Sequence, residues 1–441
     1  MKLLSSETLS PRRFLLYANT VHIIVLFVVV NVVLAVLFLV KDQLSASGPT
    51  TTTTEGALFD DTGAPIDNGR RTNYQKTWFD YSAYQEVADQ VYVGSVLDDF
   101  TSLAKLGFVY QPWVQFSERP YDGKLLHVDT DAYGLPLRRT VNPSGQKAAL
   151  LRVLVLGGST TFGYHVSDEH TWPSYLSAVL NERATQLGLA LHIEVMNYGR
   201  IFYYSTQEVF LLTQLLKGGQ RPNLVVFLDG LNEWTWTCSD VPKLTQQIAE
   251  ATHNLQFERA LSPVEQVGWL PIVRLAKAIS RRMASPPSSP SPDQTADGCK
   301  GGTSQMADMA ARYRQNVEIA RAISKLYGIS ALFFLQPDPT VHYSPTLYRT
   351  NLPTQFYANI SYIRRVKPEF YRMVRDAEGV SDLTNLFELW GPTRKAIIDD
   401  VHYSPQFNLF LAQHIANHID LVWLANRATA AGTDGEVHRS R

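Results

Sequence analysis

Residues 151–163, LRVLVLGGSTTFG, indicate the fold class of this chain. The first six residues of this stretch are apolar apart from Arg152, which is typical of a strand buried inside a parallel sheet. Two glycines and a serine follow at once, so the strand ends in a sharp turn and Ser159 lies just beyond it. Because ligands of open parallel sheets bind outside the carboxyl ends of the strands, Ser159 lies where chemistry is expected.

The rest of the chain repeats this pattern. Short apolar runs recur at residues 193–196, 224–228, 331–335 and 380–386. Longer amphipathic stretches lie between or after them, at residues 172–186, 206–216, 309–326 and 405–425. Alternation of this kind predicts an α/β domain with a parallel sheet of about five strands and crossover helices.

An uncharged stretch at residues 14–40 precedes the domain. It is longer than the roughly 20 residues that cross a bilayer as a helix, and much longer than the apolar core of about 7–15 residues in a cleaved signal peptide. Lys2, Arg12 and Arg13 lie before it, so the positive-inside rule places residues 1–13 in the cytoplasm. The sequence predicts an uncleaved single-pass anchor with everything after it outside the cytoplasm, in the periplasm if the source is Gram-negative.

Composition divides the remaining chain. We predict a Ser/Thr-rich stalk at 41–76, an aromatic-rich N-terminal extension at 77–150 that packs on the main domain, and the main domain at 151–426. An insertion at 233–304 interrupts that domain and contains a Pro/Ser-rich loop at 285–292, and residues 427–441 form a disordered tail.

Charge and cysteine content exclude several classes of function. The 40 Lys and Arg residues balance 41 Asp and Glu residues, which disfavours a polynucleotide partner. Cys238 and Cys299 are the two cysteines, and an oxidising compartment favours a disulfide between them. Neither has a Cys or His neighbour at metal-ligand spacing, so no metal or other cofactor is expected.

Polar and glycine residues stand at the predicted strand ends. They are Ser159 after the first strand, Gly199 after the second, Asn232 after the third, and Asp399 with His402 before the last helix. Each alone is a weak signal, since a lone Asn is most often a turn residue and a lone His is most often structural. Their occurrence together, in this order and at these positions, predicts a catalytic site.

These residues fall in four sequence blocks, around Ser159, Gly199, Asn232 and Asp399–His402. In these four blocks the chain resembles the SGNH hydrolases, also called the GDSL family, and the resemblance covers about residues 151–415. The resemblance implies a three-layer α/β/α, flavodoxin-like sheet. It also implies Ser159 as the nucleophile, His402 as its base, Asp399 as the partner of His402, and an oxyanion hole formed by Ser159, Gly199 and Asn232. Two positions depart from the family pattern: Gly158 replaces the usual Asp, and Glu233 replaces the Asp that usually follows the Asn.

The chemistry requires these residue types. A serine hydroxyl attacks only when a base takes its proton, and the imidazole of that base needs a carboxylate on its other nitrogen. Asp399 is the predicted carboxylate, with Asp400 as the competing candidate. Among the other residues near strand ends, His165, His170 and His342 are expected in surface or capping roles. Trp234 and Trp236 either form a stacking platform for a sugar or acyl chain or pack under the insertion, and Gln336 either lies in a strand-ending turn or shapes the pocket wall.

The predicted function is an extracytoplasmic serine esterase or deacylase that acts through an acyl-enzyme on a small-molecule or carbohydrate ester. An O-acyltransferase that modifies exported polysaccharide would use the same triad, with a sugar hydroxyl in place of water. A catalytically silent polysaccharide-binding module is the alternative outside enzymes, and the presence of all four blocks argues against it.

Overall fold

The computed structural model describes residues 11–46, 81–84, 90–144, 149–236, 270–273, 275–276, 303–344, 347, 367–391, 393–399 and 401–427. The chain divides into two compact units, residues 1–55 with 253–295, and residues 56–252 with 296–441. Cys238, Cys299, the loop at 285–292, most of the predicted stalk and most of the predicted tail lie outside the described residues.

The first unit contains one long helix, α1 (Pro11–Ala46). Its segment Asn19–Leu37 has a mean hydropathy of 2.8 and is not buried, so by length and composition it can cross a membrane. A signal sequence near the N-terminus meets the same criteria. A short turn at 270–273 belongs to the same unit, where the Ile272 amide donates a hydrogen bond of 3.2 Å to Asn31 Oδ1.

The second unit is built on an eight-stranded sheet with the order β10-β9-β8-β6-β7-β5-β4-β3. Its parallel part consists of β6 (Ala149–Gly157), β7 (Leu191–Asn197), β8 (Leu224–Asp229), β9 (Ser330–Leu335) and β10 (Val380–Asp382). Numbered along the chain, these five strands have the order 2-1-3-4-5, which is that of flavodoxin. The predicted flavodoxin-like α/β fold is therefore confirmed.

The side chains of β6 show how the three layers form. Successive residues of a strand point to opposite faces. Val153 and Val155 pack in one buried cluster with Trp172, whereas Leu154 and Leu156 pack in another with Tyr313. Helices α4 (Trp172–Gln186) and α10 (Pro405–Asn417) cover the first face, and α5 (Ser205–Lys217) and α7 (Thr303–Leu326) cover the second.

The N-terminal extension joins the sheet, where sequence predicted only that it packs on the domain. After α2 (Gln90–Leu106), a hairpin forms from β1 (Phe108–Gln111) and β2 (Gln115–Glu118). Three antiparallel strands then continue the main sheet: β3 (Tyr121–Asp122), β4 (His127–Thr130) and β5 (Pro136–Arg138). Strand β5 pairs with β7 where Arg138 lies opposite Asn197. Strands of two to four residues are too short to show a periodic pattern in sequence.

Four further short helices are α3 (Ser159–Phe162), α6 (Leu231–Trp236), α8 (Pro339–His342) and α9 (Leu386–Trp390), and residues 367–374 are also helical. Two predicted elements are shorter in the structure. The last strand ends at Asp382 because its carboxylate accepts hydrogen bonds from the Thr384 amide and hydroxyl, which turns the chain before α9 begins. The closing helix ends at Asn417, and a separate helix covers residues 421–427.

Candidate active site

The nucleophile candidate lies directly beyond the central strand. Helix α3 begins at Ser159, two residues after β6 ends at Gly157. A Cβ atom on Gly158 would approach Asn232 Nδ2 to 2.5 Å and Tyr203 O to 3.1 Å. Gly158 therefore lets the amide of Asn232 lie next to the nucleophile, which gives a steric reason for glycine at this position.

Ser159, His402 and Asp399 form a continuous hydrogen-bonded chain. The Ser159 hydroxyl lies 2.8 Å from His402 Nε2, and His402 Nδ1 lies 2.7 Å from Asp399 Oδ2. All three residues are buried, with 7%, 8% and 4% of their surfaces exposed. A carboxylate only accepts hydrogen bonds, so Nδ1 carries the proton and Nε2 is left with the lone pair that can take a proton from serine.

A tight turn holds the aspartate three residues before the histidine. Ile397 and Tyr403 pair across it, and the Ile398 amide donates to His402 O at 2.9 Å. Asp399 Oδ1 accepts hydrogen bonds from the amides of Val401 and His402 at 2.9 and 2.8 Å. This fixes the carboxylate while its second oxygen meets the imidazole. Asp400, the competing candidate, lies outside the described residues.

The prediction for His165 is wrong: its imidazole is buried and contacts the triad aspartate. His165 Nδ1 lies 2.9 Å from the same Asp399 Oδ2 that His402 contacts, and the His165 side chain is 1% exposed. Burial lowers the pKa of His165, so it is a neutral imidazole that donates through Nδ1–H. Asp399 is 234 residues away from His165 in sequence, so the sequence around His165 does not predict this contact.

Two imidazoles therefore hold one carboxylate. Burial alone would raise the pKa of Asp399, but the charge of His402 and the hydrogen bonds from His165 and His402 lower it well below its ordinary value. The carboxylate stays ionised and can balance the charge that His402 gains during catalysis. The ligand atoms of these three residues lie within 4.8 Å of one another, a spacing that could also suit a metal ion.

The oxyanion-hole candidates differ in their surroundings. Ser159 is the first residue of a helix, where backbone amides have no intrahelical partner. Asn232 Nδ2 donates one hydrogen bond to Tyr203 O at 2.7 Å, which leaves the second hydrogen of that amide group for a substrate oxygen. Both groups lie at the carboxyl edge of the sheet, since Ser159 follows β6 and Asn232 follows the neighbouring β8.

The Gly199 amide, which the sequence predicts as an oxyanion donor, already donates a hydrogen bond within the protein. The acceptor is Asn197 Oδ1 at 2.9 Å, so an oxyanion would have to displace that acceptor. A Cβ on Gly199 would lie 2.5 Å from the Phe162 amide nitrogen and 2.7 Å from the Thr161 carbonyl carbon. Its lack of a side chain thus lets the loop pack against the backbone of α3.

The strained residue of this loop is Phe202, whose φ is 69°. Bulky residues rarely adopt this left-handed conformation, and such strain collects at functional sites. Sequence gives no signal for it, because glycine is the residue that marks a left-handed position.

Three buried carboxyl groups lie behind Asn232, on α5, at the end of β8 and on α6. Burial, with the charge of Glu233, raises the pKa of Asp229 to about 8. Burial also raises the pKa of Glu233 to about 7, although its side chain accepts a hydrogen bond of 2.5 Å from the Ser205 amide. Burial and the charge of Asp229 raise the pKa of Glu208 well above its ordinary value. Raised pKa values favour the protonated forms of all three groups, so the cluster places less negative charge behind Asn232 than three ordinary carboxylates would.

The remaining candidates are placed as follows. His170 Nδ1 lies 2.9 Å from Ser167 Oγ and also contacts the Tyr92 hydroxyl, and His342 Nδ1 lies 2.9 Å from Glu388 at the surface. Gln336 contacts both Thr160 and Tyr403 at 3.2 Å, so it forms part of the wall beside the nucleophile. The side chains of Trp234 and Trp236 lie outside the described part of the structure.

No family model and no curated protein matches the chain. Solved structures with a similar fold include TesA, at 14% identity and a TM-score of 0.31, which covers 60% of this chain and 95% of its own. An esterase, EstA from Pseudoalteromonas sp., has 10% identity and a TM-score of 0.30, with 60% and 94% covered. A G-D-S-L family lipolytic protein from Veillonella parvula has 9% identity and a TM-score of 0.33, with 61% and 97% covered.

These neighbours include a protein of the family that the four sequence blocks resemble. With identities below 25% and TM-scores near 0.3, the likeness carries no weight of its own for activity. The functional assignment rests on the sheet order and on the contacts among Ser159, His402 and Asp399.

Proposed function

We propose that this protein is a serine esterase or deacylase that hydrolyses esters through an acyl-enzyme on Ser159. One observation carries the proposal: a buried serine hydroxyl, imidazole and carboxylate are joined by contacts of 2.8 and 2.7 Å. This is the arrangement that lets an imidazole act as general base toward serine while a carboxylate stabilises its charge.

The reaction follows from the positions of these groups. Ser159 Oγ attacks the ester carbonyl carbon as its proton passes to His402 Nε2, and the carbonyl oxygen becomes an oxyanion that the Ser159 amide and Asn232 Nδ2 stabilise. His402 then returns the proton to the departing alcohol oxygen, and the C–O bond breaks to leave the acyl-enzyme. Water repeats the sequence with the same base, which releases the acid and restores the Ser159 hydroxyl.

The proposal places this reaction outside the cytoplasm, on an acylated carbohydrate or another ester. Support comes from the apolar segment Asn19–Leu37 and from the basic residues Lys2, Arg12 and Arg13 before it. A reporter fused after residue 46 and active only outside the cytoplasm tests the orientation.

A panel of acyl esters, assayed with and without polysaccharide acceptors, tests the activity. We expect ester cleavage in water alone, with release of one acid per alcohol. Turnover that requires an acceptor, with the acyl group recovered on the sugar, would instead establish an acyltransferase. Absence of both reactions and of any covalent labelling at Ser159 would contradict an enzymatic role and favour a binding module.

A further inference from the structure

We propose that an apolar cavity beside the catalytic base binds the acyl chain of the ester. The proposal rests on the esterase function above and adds the class of acyl group that the site accepts. The cavity has a volume of about 240 Å³. Its walls are mainly apolar and aromatic, formed by Phe100, Leu103, Phe108, Tyr164, Ile201 and Phe202.

Two loops that carry the catalytic blocks form one side of this cavity. Tyr164 follows α3, and its amide donates to Ser159 O at 3.0 Å. The Tyr164 ring lies 4.7 Å from the His402 ring, measured between centroids. Ile201 and Phe202 follow Gly199 in the loop after β7. Tyr164 therefore both lines the cavity and contacts the ring of the catalytic base.

The N-terminal extension forms the other side, through α2 and the start of β1. Phe100 and Leu103 are 2% and 5% exposed, whereas Ala104 at the rim is exposed to solvent. Phe100 also meets the Tyr164 ring at 4.8 Å between centroids. The extension therefore supplies the wall of the cavity that lies opposite the two loops.

Two of the lining residues carry polar groups, the Tyr164 phenol and the Glu118 carboxyl, and Glu118 is held in place by its neighbours. Glu118 Oε1 accepts a hydrogen bond of 2.7 Å from the Ile201 amide, and Arg200 Nε lies 3.8 Å from Glu118 Oε2. Burial raises the pKa of Glu118, against the effect of Arg200. A cavity whose walls are mainly apolar and aromatic suits an aliphatic chain better than a sugar, which would need several hydrogen-bond partners.

The volume sets the expected chain length. A cavity of about 150 Å³ lined by apolar side chains holds benzene, so about 240 Å³ holds on the order of eight to ten carbon atoms. Each methylene buried is worth up to roughly fourfold in kcat/KM. We expect kcat/KM to rise with acyl length from acetate to about octanoate or decanoate and then to level off.

The test uses the full-length protein and p-nitrophenyl esters with acyl chains from acetate to tetradecanoate, each below its micelle concentration. Ala104→Trp places an indole at the rim of the cavity. Lys105→Trp is the matched control, because Lys105 is exposed and does not line the cavity. We expect Ala104→Trp to lower the octanoate-to-acetate ratio of kcat/KM by about tenfold or more, and Lys105→Trp to keep it. The ratio within one variant cancels any loss of folded protein.

A second arm varies the alcohol while the acyl group stays acetyl, from ethyl to decyl acetate. If kcat/KM increased with the length of the alcohol and not with the length of the acyl chain, the cavity would bind the alcohol, and the proposal would be overturned. The proposal would also be overturned if kcat/KM did not change with acyl length, or if Ala104→Trp and Lys105→Trp had the same octanoate-to-acetate ratio of kcat/KM. Hydrolysis of the acetate ester would in that case still support the esterase function. Lack of turnover with every ester would instead contradict the esterase function itself.

Discussion

The contact between His165 and Asp399 predicts a specific kinetic defect when it is removed. Asp399 accepts four hydrogen bonds, from the Val401 amide, the His402 amide and the Nδ1 atoms of His402 and His165. His165→Ala removes one of them. A hydrogen bond to a charged group is worth about 1.5–3 kcal/mol, which corresponds to roughly 10- to 150-fold in rate.

The lower end of that range is expected, because three donors still orient the carboxylate. We predict that His165→Ala lowers kcat/KM about tenfold near neutral pH, with little change in KM. Loss of the donor also leaves more negative charge on the oxygen that holds His402, which favours the protonated base. The acidic limb of the pH–rate profile should therefore move to higher pH.

The assay is hydrolysis of p-nitrophenyl acetate between about pH 5 and pH 9. His165→Asn can keep an N–H donor near the position of Nδ1, so it should recover most of the rate. His342→Ala, which removes a partly exposed histidine paired with Glu388, serves as the control and should match the wild type. A profile for His165→Ala with the wild-type acidic limb and a rate within twofold would refute a role for His165 in positioning the base.

Three further predictions follow from the site. Asp399→Asn should be far more damaging to kcat than Asp400→Asn, because Asp399 contacts His402 Nδ1; the reverse ranking would make Asp400 the partner of the base. Asn232→Ala should lower kcat by about 100- to 1000-fold with little change in KM, and an effect confined to KM would sink its assignment as an oxyanion donor. Because the pKa values of Asp229 and Glu233 are raised to about 8 and about 7, their protonated forms favour the folded state. The stability that they contribute is complete below about pH 4 and is lost as pH rises through about 8, so the urea midpoint should fall across this window. Asp229→Asn should flatten that fall, and an unchanged slope in the variant would contradict the assignment.

The fold could be predicted from sequence because the central strands β6, β8 and β9 are mainly apolar runs. Ser159 and Asn232 lie at one edge because they follow the neighbouring parallel strands β6 and β8, which end together. A tight turn before α10 places Asp399 and His402.

The missed features depend on packing between distant segments. His165 has a role only through its contact with Asp399, which is 234 residues away in sequence. Phe202 adopts a left-handed backbone conformation that its residue type does not predict. The short strands of the extension have too few residues for a pattern. The Gly199 amide was also not predicted correctly in detail. The motif identifies Gly199 as a candidate donor, but it does not show that the Gly199 N–H already donates to Asn197 Oδ1.

Covalent labelling shows directly whether Ser159 is the nucleophile. The wild-type protein is incubated with a fluorophosphonate, digested, and mapped by mass spectrometry alongside Ser159→Ala. We predict a single phosphonylated residue, Ser159, with labelling that slows sharply in His402→Ala and is absent in Ser159→Ala. Labelling of folded Ser159→Ala at another serine, or an unlabelled Ser159 in folded wild-type protein, would contradict the assignment of the nucleophile and with it the proposed reaction.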